Sequence, residues 1–154
     1  MGIVSLNRLL WLRSRLIGLR RRWLTLRYGV DIDPSSAISL SSRLLGAGAG
    51  SISVGAETLI AFKTLVYCQD PASGKIAPVR IGGRCFVGGG ATILPGVTVH
   101  DESIIAAGSV VFDDVPPRSI VAGNPARVIR SEIEVGPYGR LKGADENTRR
   151  MWTA

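Results

Sequence analysis

IGGRCF VGGGAT ILPGVT VHDESI IAAGSV VFDDVP, residues 81–116, is six consecutive hexads in one register. Each opens on an aliphatic residue, and all six are β-branched: Ile81, Val87, Ile93, Val99, Ile105 and Val111. The fifth place is small or compact throughout: Cys85, Ala91, Val97, Ser103, Ser109 and Val115. A period of six belongs neither to a helix nor to a half-buried strand of period two. It belongs to short strands joined by tight turns, wound so that the first residues of successive hexads stack in the interior. The stretch therefore predicts an all-β chain built as a parallel β-helix, a hexapeptide-repeat solenoid.

The same spacing runs upstream less cleanly. Ile32, Ile38 and Leu44 lie six apart, as do Val54, Ile60 and Val66. Two stretches break the register. LLGAGAGSIS, residues 44–53, has glycines that permit a wider turn. PASGKIAPVR, residues 71–80, is rich in Pro, Gly and Ser and is expected to leave the ladder as a loop. Insertions in a solenoid emerge on one face, which is often a binding face.

The chain of 154 residues has the length of one domain. It divides into a basic arm at 1–29, a solenoid at 30–130 and a polar tail at 131–154. Aromatics make up only 6% of it, which suits a narrow coil interior. The open ends and flat faces of a short solenoid need capping or a partner, so a homo-oligomer is expected. Cys68 and Cys85 do not make a disulfide framework, and Cys85 at a fifth place is expected to be buried. The early apolar residues are interrupted by Arg8, Arg13 and Arg15, which does not suit a signal peptide; the expectation is cytoplasmic.

The net charge of +7 has one source. Residues 1–28 hold seven arginines and no acid, while the other twelve basic residues are matched by twelve acidic ones. The arm reads as a helix with Leu9, Leu16, Leu19, Trp23 and Leu26 on one side. Arg8, Arg15, Arg21, Arg22 and Arg27 lie on the other, and Arg13 and Arg20 intrude on the apolar side, where their stems can snorkel. It is too interrupted to span a bilayer. Three roles fit such an arm: contact with an anionic membrane surface, a cap over the first coil of the assembly, or nucleic-acid binding. The third is the weakest and is not adopted, because the rest of the chain has no patterned basic or aromatic surface.

Residues 81–130, ending in DDVPPRSIVAGNPARVIR, resemble the hexapeptide-repeat acyltransferases, in particular the sugar and exopolysaccharide O-acetyltransferases related to galactoside and maltose acetyltransferases. The segment 113–130 is the most diagnostic, since the repeat alone does not require it. The resemblance implies a left-handed coil, a homotrimer, and acetyl-CoA lying in the groove between subunits as co-substrate. It also implies direct attack of an acceptor hydroxyl on the thioester, the acceptor being a sugar or glycan. Such chemistry needs a base, donors for the oxyanion and a cradle for the pantetheine. Gly88, Gly89, Ala106, Ala107 and Gly108 would let that thin arm approach the main chain, though such residues also serve the tight turns of the coil. Arg127 and Arg130 would meet the phosphates, for which the planar guanidinium is suited.

The catalytic position departs from the pattern. Where the family has a histidine, commonly in a His-Asp pair, this chain has Gln69 and Asp70. A glutamine amide can donate or accept a hydrogen bond but cannot remove a proton at neutral pH. Asp70 would serve as a base only with a raised pKa. Either this is a natural variant that is weak, silent or served by another group, or a histidine has been replaced by design. His100, the single histidine, sits at the second place of a hexad and reads as a surface turn residue. Tyr67, Lys75 in the 71–80 loop and the tail are candidate acceptor contacts. A catalytically silent scaffold is the alternative reading. The γ-type carbonic anhydrases share the architecture but need three histidine ligands for each metal, so no metal is expected.

Overall fold

The computed structural model describes residues 6–143. One helix, α1 (Leu6–Tyr28), precedes a solenoid whose strands fall in rotation onto three sheets. The first sheet is parallel: β1 (Val30–Ile32), β4 (Ile52–Val54), β7 (Val79–Ile81) and β10 (Thr98–Val99). In the second, β2 (Ala37–Ile38), β5 (Leu59–Ile60), β8 (Phe86–Val87), β11 (Ile104–Ile105) and β13 (Ile120–Gly123) are parallel, and β14 (Ala126–Arg130) closes it antiparallel. The third holds β3 (Arg43–Leu45), β6 (Leu65–Tyr67), β9 (Thr92–Ile93) and β12 (Val110–Val111).

The hexad register is the strand register. Ile32, Val54, Ile81 and Val99 are partners across the first sheet. Ile38, Ile60, Val87, Ile105 and Val121 are partners across the second. Leu44, Val66, Ile93 and Val111 are partners across the third. All are buried, with 7% exposure at most. Each contributes about 1.5–3 kcal/mol of apolar burial, an upper value against an extended chain.

The place two before each ladder residue also points inward, and it is often a hydroxyl. Ser36, Ser42, Thr58, Thr64, Ser103, Ser109 and Ser119 are all buried. Their oxygens satisfy the backbone between coils: Thr58 Oγ1 donates to the Gly82 carbonyl at 2.7 Å and accepts the Cys85 N–H at 3.0 Å. A buried polar group without such partners would cost about 1–3 kcal/mol. The fourth place takes the left-handed backbone at several corners. Gly90, Gly96 and Gly108 meet it without cost, whereas Arg84 and Glu102 adopt φ of 52° and 61° and form an ion pair.

Three expectations are corrected by the fold. The loop leaves the ladder at 68–78 rather than 71–80, because Val79, fully buried, already pairs with Ile52. The parallel ladder ends at Val121 rather than at 130. Gly123 has φ of 104°, Pro125 has no N–H to offer, and the chain returns antiparallel as β14. The tail is not separate from the domain. Ile133 and Val135 are buried, and the chain then crosses the outer face of the second sheet, where Tyr138 N–H reaches the Glu57 carbonyl at 2.7 Å. Gly139 is needed there, since a Cβ would come within 2.5 Å of the Phe86 nitrogen. Residues 144–154, with Trp152, lie outside the described residues.

The helix caps the first coil, one of the roles open to the arm, and it does so through a face other than the leucine stripe. Leu24 is buried in the solenoid core, and Arg20 donates to the carbonyls of Ser39, at 2.7 Å, and Ser42. Thr25 Oγ1 donates to the Val30 carbonyl at 2.9 Å. Arg20 therefore covers main-chain acceptors of the first coil, and its partial burial lowers its pKa.

Candidate active site

The candidate residues fall into two groups, on opposite edges of the third sheet. The first is a hairpin. After Tyr67 the chain leaves the coil, Gln69 and Ile76 form an antiparallel bridge, and the Ala77 N–H returns to the Cys68 carbonyl at 2.7 Å. Tyr67, Gln69, Asp70, Pro71 and Gly74 line an open hollow of about 550 Å³ over the third sheet. Leu45 and Leu65 form its floor, a contribution the sequence did not reveal because outward places of the hexads carry no fixed residue type. Lys75 is exposed on the same hairpin. The structure thus brings together Tyr67, Gln69 and Asp70.

Within this group Asp70 is occupied in holding the turn. Its carboxylate accepts from Ser73 Oγ at 2.5 Å and from the Ala72 N–H at 3.0 Å. Those bonds hold its pKa below the usual carboxylate value, the opposite of what a base at neutral pH requires. Gln69 donates its amide to the Gly74 carbonyl at 3.1 Å, which directs the amide oxygen away from that carbonyl. Gln69 can receive a hydrogen bond from a hydroxyl but cannot take its proton. Cys68 is buried behind the hairpin, with Sγ 3.5 Å from the Leu45 carbonyl. His100 is exposed at the turn after β10, next to the first sheet rather than the hairpin.

The second group is the corner between the second and third sheets, where Ala61–Lys63, Gly88–Gly90 and Ala106–Gly108 stack in consecutive coils. The Gly90 N–H bonds the Phe62 carbonyl at 2.9 Å and the Gly108 N–H the Gly89 carbonyl at 3.0 Å. Stacking itself requires one of the glycines, Gly88, while Gly89 makes room for the exposed Phe62 ring. A Cβ on Gly88 would lie 2.5 Å from the Ala107 nitrogen, and one on Gly89 would enter the Phe62 ring at 2.6 Å. Gly90 and Gly108 differ, because a Cβ there would stand in open space. The corner therefore exposes bare main chain along one edge, a surface that fits a thin, flexible arm such as pantetheine, and Phe62 bounds it at one end.

Arg127 extends this corner. It pairs with Ala122, which follows Val121, the β13 partner of Ile105 in the coil of Ala106–Gly108. Its Nη1 reaches Asp113 Oδ2 at 3.1 Å and the Ala126 carbonyl at 3.0 Å, and both side chains of the ion pair are exposed. Asp113 was not foreseen as a partner. Arg130 pairs with Ile120 at the other end of β13. About three residues, or roughly 10 Å of strand, separate the two arginines; only the Arg127 backbone stands at the corner, while its guanidinium reaches across to Asp113 in the turn after β12. Cys85 lies elsewhere, in the core, where burial pushes its thiol up to about 11.

This geometry defines a class: a three-sheet hexapeptide-repeat solenoid with a hairpin on one corner and an open, glycine-lined edge on another. Residues 78–113 match a family described as the hexapeptide repeat of succinyl-transferase. A Staphylococcus aureus protein (strain Mu50), whose name gives it an inferred acetyltransferase activity, is 44% identical over 64 residues, 42% of this chain and 32% of that protein. The chain thus spans about a third of the length of this curated relative. A maltose O-acetyltransferase from Clostridium difficile 630 has the same fold, with a TM-score of 0.59 at 26% identity over 79% of this chain and 83% of that one. An acetyltransferase from Vibrio cholerae, solved in complex with acetyl-CoA, superposes at 0.59 over 87% and 93%, at 24% identity. The chain is a left-handed parallel β-helix and resembles the hexapeptide-repeat acyltransferases.

Proposed function

We propose that the protein is a CoA-dependent O-acyltransferase moving an acetyl group from acetyl-CoA to a hydroxyl of a sugar or polysaccharide precursor. The observation that carries the reading is the corner edge, bare at Gly90 and Gly108, continued by Ala106 and Ala107, and ended by Arg127. That order suits a CoA thioester: a pantetheine arm along the main chain and phosphates beside a guanidinium. The acetyl-CoA complex of the Vibrio cholerae protein, which has the same fold, agrees with it.

The edge and the hairpin of one chain stand on opposite sides of the third sheet. A homotrimer would bring the hairpin of one subunit to the edge of its neighbour and complete the site. In it, Tyr67, Gln69 and Lys75 would meet the acceptor. The acceptor oxygen attacks the thioester carbonyl, the C–O bond forms, the C–S bond breaks and the CoA thiolate departs. Neither Gln69 nor the turn-bound Asp70 takes the hydroxyl proton, so it passes through solvent to the departing thiolate, which leaves as the CoA thiol. The chain would work in the cytoplasm, with its arm available for peripheral contact at the inner face of the membrane.

The hairpin also favours a second reading, a catalytically silent scaffold, because Gln69 stands where the resemblance implies a histidine. A Gln69→His variant assayed for acetyl transfer to a panel of sugars separates the two. Turnover rising at least a hundredfold supports the transferase, in line with about 10²–10⁴ from general base catalysis. No turnover by either form on any acceptor supports the scaffold.

A further inference from the structure

The helix has two faces, and the solenoid uses only one. Arg20, Leu24 and Tyr28 lie four apart and turn toward the first coil. Leu16, Leu19 and Leu26 turn the other way, at 46%, 63% and 87% exposure, and Trp23, 54% exposed, stands at the border, where it also lines the hollow over the first coil. Spanning ten residues, this apolar stripe runs about 15 Å along the axis. The Trp23 ring is held edge-on against Tyr28, with centroids 5.3 Å apart, and Arg27 lies over the same Tyr28 ring. Capping therefore leaves Leu16, Leu19 and Leu26 turned outward, with Trp23 at the border between them and the first coil.

The charge around the stripe selects its occupant. Arg22 and Arg27 are exposed on the same helix, and residues 1–28 carry seven arginines with no acid. That excess equals the net charge of the whole protein. Leucine and tryptophan in a row between arginines suit the headgroup boundary of an anionic bilayer, where apolar side chains enter and guanidinium groups meet phosphates. Among the described residues no helix is long and apolar enough to cross a membrane. We propose that the outer face of α1 is a docking surface for anionic lipid, lying on the bilayer with Trp23 inserted while Arg20 and Leu24 keep the solenoid attached. This deepens the peripheral contact suggested above but does not rest on acyl transfer, and its test involves no CoA.

The test is co-sedimentation of the full chain with vesicles of phosphatidylcholine alone and with 30% phosphatidylglycerol. Binding should be at least tenfold stronger on the anionic vesicles and should fall at 0.5 M salt. Each arginine near such a surface is worth about fivefold, so an Arg22→Gln/Arg27→Gln double variant should lose roughly twenty-fivefold. A Leu19→Ser/Trp23→Ser variant should lose binding at least tenfold, with an unchanged β-sheet circular dichroism spectrum showing that the cap is intact. Equal binding to both vesicle types, or to neither, overturns the proposal. So does a concentration-dependent mass increase, abolished by Leu19→Ser/Trp23→Ser without any vesicle binding, which would give the stripe to a second copy. Preferential capture of an RNA oligonucleotide over the anionic vesicles overturns it as well.

Discussion

Arg127 is half of an exposed ion pair, and that pair sets how its loss should read out. Its guanidinium reaches Asp113 at 3.1 Å, with 64% and 76% of the two side chains exposed. An exposed pair of this kind is worth about 0–1 kcal/mol. A charge-assisted hydrogen bond to a phosphate is worth about 1.5–3 kcal/mol. If CoA phosphates displace Asp113, the net gain is roughly 1–2 kcal/mol, so Arg127→Ala should weaken acetyl-CoA binding about five- to thirtyfold. Asp113→Asn should do the reverse. It removes the competitor and a carboxylate that repels the ligand, so Kd should fall by up to about fivefold. Both effects should shrink at 0.5 M salt, because the site is open to solvent. Isothermal titration of the three proteins at two salt concentrations measures this. Unchanged affinity in Arg127→Ala, or weaker binding in Asp113→Asn, would refute the placement of phosphates at this corner.

Three further outcomes test the coil itself. Thr58→Val keeps the shape of a fully buried side chain but strands the Gly82 carbonyl and the Cys85 N–H; urea denaturation should show a loss of about 2–4 kcal/mol, against about 1 kcal/mol for Thr58→Ser. Gly88→Ala places a Cβ 2.5 Å from the next coil's main chain and should cost about 3 kcal/mol, whereas Gly90→Ala, in open space with φ of 70°, should cost about 1 kcal/mol; equal losses would contradict the stacking. The Cys85 thiol is raised to about 11 by burial, so an unfolded chain ionises first; its stabilising share is intact below about pH 8.5 and is lost as pH rises to about 11, by roughly 2–3 kcal/mol, and Cys85→Ala should flatten that slope.

The ladders were legible because a repeat of six puts a β-branched residue at the same point of every coil, and Ile81 through Val111 obey it without exception. Departures came wherever a long-range contact outranked local pattern. Val79 looked like part of a Pro-flanked loop, yet it pairs with Ile52 and is fully buried. On the arm, the stripe of leucines was visible, but Arg20 and Leu24 make the contact, since the first coil offers carbonyl acceptors as well as apolar surface. Gln69 and Asp70 were found by resemblance, and their hydrogen bonds within the hairpin needed coordinates. Arg127 was singled out by the resemblance as a phosphate contact. Its partner Asp113 was not, because the antiparallel return through Asn124 and Pro125 brings together residues that the hexad register places apart.

The central claim is that the glycine-lined corner holds a CoA thioester, and a calorimetric titration of the full-length protein with acetyl-CoA tests it most directly. The account predicts saturable binding to both the native chain and Gln69→His, because the edge at Gly90, Gly108 and Arg127 is the same in each. Absence of binding by both would contradict it and leave a structural solenoid.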